Sequence, residues 1–224
     1  MICVLTNGVR PERLLSTLAD VESSARGRKA IVVDGDFQIS RNGWEVVHYR
    51  GPKVGRQNKW VFWECLRVAA AADEDLVYVE DDASASKSAF AYIERFHEVP
   101  SDCAFASYYS PTGELHALPG HLRQQCSVFA YAVCLKVPLR TVKQLLDLTP
   151  EMEASRFGGC DDVLRALLGP RKHLAALHYP SLVQHVGDQS TVSDGATLGG
   201  DRSSRNWRGR GFDALSLANR NLYY

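Results

Sequence analysis

The 224-residue chain has no charge imbalance, no long apolar run and no paired-cysteine motif, and each absence removes a class of function. Lysine plus arginine equals aspartate plus glutamate at 26 each, so whole-molecule electrostatics point to no polyanionic partner. No apolar stretch approaches the length of a membrane span. The opening MICVLTNG is too short for a secretory signal and lacks its basic region, so it reads as a first strand. Cys3, Cys65, Cys103, Cys126, Cys134 and Cys160 are scattered without a CxxC pair. Most lie in apolar segments, where a reduced thiol is a small core residue rather than half of a disulfide or a zinc ligand. Neither an internal repeat nor a long linker divides the chain. The expectation is one domain of a cytoplasmic protein.

What is present is ordinary globular composition, 45% hydrophobic and 23% charged, arranged in a legible order. Ile2 to Thr6 is a short apolar run closed by Asn7-Gly8, and Pro11 opens a helix carrying Leu14, Leu15 and Leu18. Residues 30–33 form a second apolar strand ending at Asp34, and residues 44–49 a third. From about residue 57 to 72, Phe62, Cys65, Leu66, Ala69 and Ala72 share one helical face. Residues 76–79 make the next strand, and a helix with Phe90, Ile93 and Phe96 follows. Continuously apolar strands alternating with helices predict an α/β fold whose mostly parallel sheet is covered on both faces. The second half reads as mixed. Strands are expected over 104–109 and 127–137, a helix over 139–148, and a loop over 151–159. A short helix over 161–168 stops at Gly169-Pro170, and a last strand over 174–183 is interrupted near Pro180.

The stretch LVYVEDDA carries the chemistry. Four apolar residues run into Glu80, Asp81 and Asp82, three adjacent charges that repel one another. Ligands of open parallel sheets bind beyond the carboxyl ends of strands, where strand order reverses. If the extension persists, Glu80 and Asp82 point the same way, two hard oxygen donors that suit Mg²⁺ or Mn²⁺. The plainer reading is a solvated loop that caps the next helix. Two other segments bear on the choice. PSLVQHVGDQS delivers His185 to a strand end, either as a third ligand or as a structural histidine. In GGCDD, two glycines allow close backbone approach, and Asp161 and Asp162 then open a helix. One of the pair is expected to be the N-cap, leaving the other as a base.

In this order, LTNGVR, GRQNKW, VYVEDDA, an acidic pair before a short helix and PSLVQHVG, the chain resembles the metal-dependent glycosyltransferases of the GT-A fold over about residues 1 to 215. Glu80-Asp81-Asp82 looks like their DxD-type motif. The segment around His185 is similar to the C-terminal histidine segment of several of those families, the branching N-acetylglucosaminyltransferase-like ones among them. The resemblance implies a GT-A-like, Rossmann-like sheet in a single domain. Its nucleotide-binding half covers residues 1–100, its acceptor half 101–190, and a flexible tail or lid 191–224. Asp82 would be the main metal ligand, Glu80 would bind the metal or contact the ribose, and His185 would complete the set. The cation, Mn²⁺ or Mg²⁺, would bridge the phosphates of a nucleotide-sugar. UDP is the commonest nucleotide for the fold. Asp162, or else Asp161, would take the proton of an acceptor hydroxyl, which implies inversion. Thr6, Asn7 and Arg10 would hold the nucleobase, and Asp34 the base or ribose. Arg56, Asn58 and Lys59 would bring a helix N-terminus and cations to a phosphate. Asp81 belongs to the same donor-binding set. This motif begins with Glu rather than Asp, which leaves two roles open for residue 80.

The run DRSSRNWRGRGF places Arg202, Arg205, Arg208 and Arg210 around Trp207. It reads as a solvated tail, as a lid over a diphosphate, or as a site for a polyanionic acceptor such as a modified DNA base. A glycan or small molecule is the other acceptor class. Three rival functions stand beside the transferase. A sugar nucleotidyltransferase would carry a Gly-rich loop after the first strand, where only Asn7-Gly8 is found. A non-catalytic nucleotide- or glycan-binding module would need neither the acidic pair nor a metal-ligand histidine. A DNA-binding protein would show a steep salt dependence.

Overall fold

The apolar runs of the first hundred residues pair side by side in a computed structural model, which describes residues 1–51, 58–110, 120–128, 132–156, 158–186 and 207–218. Strands β1 (Ile2–Thr6), β2 (Lys29–Asp34), β3 (Glu45–Tyr49) and β4 (Leu76–Glu80) are all parallel. They are joined by helices α1 (Pro11–Ser24) and α2 (Lys59–Ala72). From β1 the chain winds outward to β2 and β3, then returns to place β4 on the other side of β1. Strand order therefore reverses between β1 and β4, and the crevice there is flanked by Thr6 and Glu80.

The second half is mixed, as its pattern predicts. It contributes β6 (Cys103–Ser107), β7 (Gly120–Gln125), β8 (Cys134–Val137) and β9 (Leu174–Tyr179). The eight-stranded order is β3-β2-β1-β4-β8-β6-β9-β7. β8 runs antiparallel to both β4 and β6, and β7 antiparallel to β9. Two further strands, β5 (Ala83–Ala85) and β10 (Val183–His185), pair antiparallel in a small ribbon of their own.

Alternation along the strands supplies two cores, which is why the runs are continuously apolar. Cys3, Ala30, Val32, Tyr78 and Leu135 face α2, α4 (Leu139–Asp147), α5 (Thr149–Ala154) and α6 (Cys160–Leu168). Ile2, Val4, Ile31, Val33, Val77 and Val79 face α1 and α3 (Ala89–Arg95). The α/β class, with a mostly parallel sheet covered on both faces, is the observed one.

Four expected elements change. The run 127–137 is not one strand: a 3-10 turn occupies Cys126–Val128, and pairing in the sheet begins at Cys134. The expected loop 151–159 starts inside α5, where Pro at the helix start and Glu151 in the first turn favour a helix. The run 174–183 splits at Pro180 into β9 and β10, which belong to different sheets. Phe96 lies just past α3 and is 46% exposed, off the packed face.

Candidate functional site

The three carboxylates at the end of β4 do not share one fate. Thr6 donates its hydroxyl to Asp81 Oδ2 at 2.5 Å, tying that side chain to the end of β1. Glu80 and Asp82 turn instead towards His185. Their ligand atoms and an imidazole nitrogen all lie within 4.8 Å of one another, an O, O, N set that suits Mn²⁺ or Mg²⁺. The ribbon delivers the histidine, because His185 stands opposite Ala83 and Val186 N donates to Asp82 O at 2.9 Å. His185 Nε2 is 3.2 Å from Asp82 Oδ2, and Arg10 Nη1 is 3.4 Å from the same oxygen. Asp82 Oδ1 is buried with no hydrogen-bond partner among the described residues. A buried carboxylate oxygen left in that state is costly, and a cation is the group that would satisfy it. The residues present therefore fit a divalent ion.

Electrostatics separate the three acids further. Burial, with the charges of Asp82, Asp161 and Asp81, pushes Glu80 well above the usual carboxylate range. Burial pushes Asp81 up to about 6, against the Thr6 hydrogen bond. Burial also acts to raise Asp82, but the hydrogen bond and charge of His185, with Arg10 and Arg13, outweigh it and hold Asp82 below its ordinary value. Asp82 is thus the member of the three held below its ordinary value.

The turn after β1 is closed by its own side chains. Asn7 Oδ1 accepts from Val9 N at 3.0 Å, Thr6 Oγ1 accepts from Gly8 N at 3.0 Å, and Gly8 sits at φ +71 against the Phe37 ring. A side chain at residue 8 would collide with that ring, so glycine is required there. Asp34 ends β2, opposite Tyr49 of β3. Arg56 lies outside the described residues.

Asn58 and Lys59 depart from expectation. The Lys59 ammonium is buried and donates to Ser155 O at 2.7 Å and Met152 O at 3.2 Å, closing the end of α5. Two of its three N–H donors are thereby committed inside the fold rather than to a phosphate. Asn58 Oδ1 accepts from Cys160 N at 2.8 Å and so supplies the side-chain cap of α6. The cap position itself is Gly159, with no side-chain bond of its own, so neither Asp161 nor Asp162 is the N-cap. Both lie in the first turn. Asp162 forms an ion pair with Arg165, one turn along the same helix. Asp161 accepts from Asp162 N at 3.0 Å, and its charge is among those that raise Glu80.

The expected tail is in part a packed element. Ala214 and Leu217 are buried against the α1–α3 core. Arg210 is held by Ser84, Ser16 and Asp20, and Arg208 stacks on Phe212 at 5.3 Å. Arg202 and Arg205 lie outside the described residues. Sequence reasoning missed Thr17, whose hydroxyl lies 2.9 and 2.8 Å from the carbonyls of Asp81 and Ala83 and holds the acidic turn. A threonine within the apolar stripe of α1 was the available signal. It also missed Arg13, which acts on Asp82 by charge.

No protein-family model matches the chain, and no curated protein matches it in sequence. Among solved structures it is similar to the galactosyltransferase LgtC in complex with donor and acceptor sugar analogs, at 11% identity over 75% of this chain and 70% of that one, TM-score 0.48. It is similar to a glycosyltransferase involved in the glycosylation of the major capsid of PBCV-1, at 10% identity over 80% and 82%, TM-score 0.42. It is likewise similar to the inositol-1-phosphate CTP transferase from T. maritima, at 12% identity over 79% and 84%, TM-score 0.47. These likenesses do not choose between glycosyl and nucleotidyl transfer. Among the described residues, no helix is long and apolar enough to cross a membrane.

Proposed function

We propose that the chain is a metal-dependent glycosyltransferase that moves a sugar from a nucleotide-sugar, a UDP-sugar in the first instance, to an acceptor hydroxyl with inversion. The observation that carries this reading is the convergence of Glu80, Asp82 and His185 at the switch point, with a buried carboxylate oxygen lacking a partner. Asp82, Glu80 and His185 would hold the cation. When bound, a divalent ion supplies positive charge to the diphosphate leaving group. Thr6, Asn7 and Asp34 line the ends of β1 and β2, where the base and ribose would lie, and Arg10 adds a cation beside them.

An acidic residue must take the proton of the acceptor hydroxyl as its oxygen attacks the anomeric carbon and the bond to the diphosphate oxygen breaks. What supports Asp161 over Asp162 in that role is charge. Asp162 is ion-paired with Arg165, although burial and the charge of Asp161 still hold it above its ordinary value, whereas the charge of Asp161 reaches Glu80. The acceptor class in this reading is a glycan or small molecule, because the described basic residues of 207–210 are already engaged within the protein.

The test is calorimetric titration of UDP, GDP and CDP into metal-stripped protein, with and without Mn²⁺. One diphosphate binding only with metal, and lost in Asp82→Ala, is the expected result. Binding indifferent to metal would remove the main support. Incubation with donor then separates the chemistries: release of nucleoside diphosphate is expected, and release of pyrophosphate from a nucleoside triphosphate would replace this reading with nucleotidyl transfer.

A further inference from the structure

The ribbon that brings Asp82 and His185 together is too short to be stable by itself. β5 and β10 have three residues each, and an isolated two-stranded ribbon of any length is marginal in water. Its register matters, because a slip of one residue would turn His185 to the other face. Support must come from outside the ribbon.

Three supports are present. Tyr108 O accepts from Leu182 N and Val183 N, steadying β10. Helix α1 holds β5 through Thr17 and through Asp20, whose Oδ2 accepts from Ala85 N at 2.9 Å. The third support is the segment after residue 206. Ser84 lies within β5 and Ser86 follows its last residue, Ala85. Arg210 Nε donates to Ser84 Oγ at 2.8 Å, and Trp207 Nε1 donates to Ser86 Oγ at 3.1 Å. Arg210 Nη2 reaches Ser16 Oγ at 2.9 Å and Asp20 Oδ2 at 3.3 Å, so it also orients the carboxylate that holds Ala85. Lys87 N donates to Arg210 O at 3.0 Å, and Ala214 N returns a bond to Lys87 O at 2.9 Å. Ala214 and Leu217, 0% and 2% exposed, anchor the segment against the core.

We infer that Trp207 and Arg210 are positioning residues that clasp the β5–β10 ribbon in the register that joins Asp82 to His185, and so set the cation affinity of that site. The inference rests on the metal reading proposed above. Each acts through a serine, Arg210 through Ser84 on β5 and Trp207 through Ser86 just past its end.

The experiment follows free Mn²⁺ by electron paramagnetic resonance during titration of the metal-stripped full chain. The proteins are wild type, Trp207→Phe, Arg210→Gln, the double variant, Ser86→Ala and Asp82→Asn, each with its thermal midpoint. Wild type should bind, and Asp82→Asn should not. The double variant should bind about tenfold more weakly, the scale of lost outer-shell support, while its midpoint moves by no more than about 4 °C. Ser86→Ala should weaken binding in the same sense as Trp207→Phe. Undiminished affinity in the double variant, with binding abolished in Asp82→Asn, overturns the clasp alone. Loss of fold and affinity together in the double variant, with full affinity in Ser86→Ala, also overturns it. A wild type that binds no better than Asp82→Asn overturns the metal reading and this inference with it.

Discussion

The acidic run that ends β4 and the acidic pair that opens α6 are built in opposite ways. Glu80, Asp81 and Asp82 end a buried strand and are held by β1, α1 and β10, with the nearest cations on the loop and helix that follow β1. Asp161 and Asp162 open a half-buried helix turn, where Asp162 is answered by Arg165 on the same helix. In the second arrangement Asp162 finds its counter-ion within one turn of chain. The first is not so answered, since Asp82 keeps a buried oxygen without a partner among the described residues, and Glu80 is pushed towards its protonated form by burial and by its neighbours. A like-charge cluster that is buried calls for a ligand; one at a helix start is satisfied locally.

The comparison is broken most severely at Asp82. Asp82→Ala should weaken Mn²⁺-dependent UDP binding by on the order of 100-fold or more, measured by calorimetry. In the wild type, Mn²⁺ at a hundred times its dissociation constant should stabilise the fold by about 2.7 kcal/mol in urea unfolding, and the variant should show none of this. Next comes Asp161→Asn, which should lower turnover of the donor by roughly 10²–10⁴ while leaving metal-dependent UDP binding in place. Asp162→Asn should have a much smaller effect on turnover, and the reverse ranking would return the base role to Asp162. Removing the side-chain cap of α6 with Asn58→Ala should cost about 1 kcal/mol of stability in urea. Smallest of all is Arg165→Ala. That half-exposed pair is worth under about 1 kcal/mol, so the thermal midpoint should barely move.

The parallel half was legible because its strands are buried on both faces and read as unbroken apolar runs. The pieces that were missed give no such signal. β5 is Ala-Ser-Ala, three small residues whose pairing depends on a segment about a hundred positions away. β7, Gly120–Gln125, is largely polar and lies at the sheet edge. The run 127–137 misled in the other direction, because an apolar stretch need not be extended along its whole length. At the site, the acids and His185 could be picked out by residue type and position after strands. Lys59 could not be read correctly. A cation at a helix start looks like a phosphate ligand until its ammonium is found among carbonyls at the end of a helix some ninety residues later. Asn58 failed for the same reason, as its partner Cys160 is remote in sequence.

The distance along the chain between Asp82 and His185 has a consequence for biosynthesis. At about 5–20 residues per second, roughly 5–20 s separate the appearance of the acids from that of their imidazole partner. Throughout that interval the nascent chain carries the negative strand end without the histidine that helps hold Asp82 ionised. The clasp arrives later still, with Trp207 and Arg210. Any capture of an ion by Glu80, Asp82 and His185 would therefore be among the last properties a newborn molecule acquires, whichever strands assemble first.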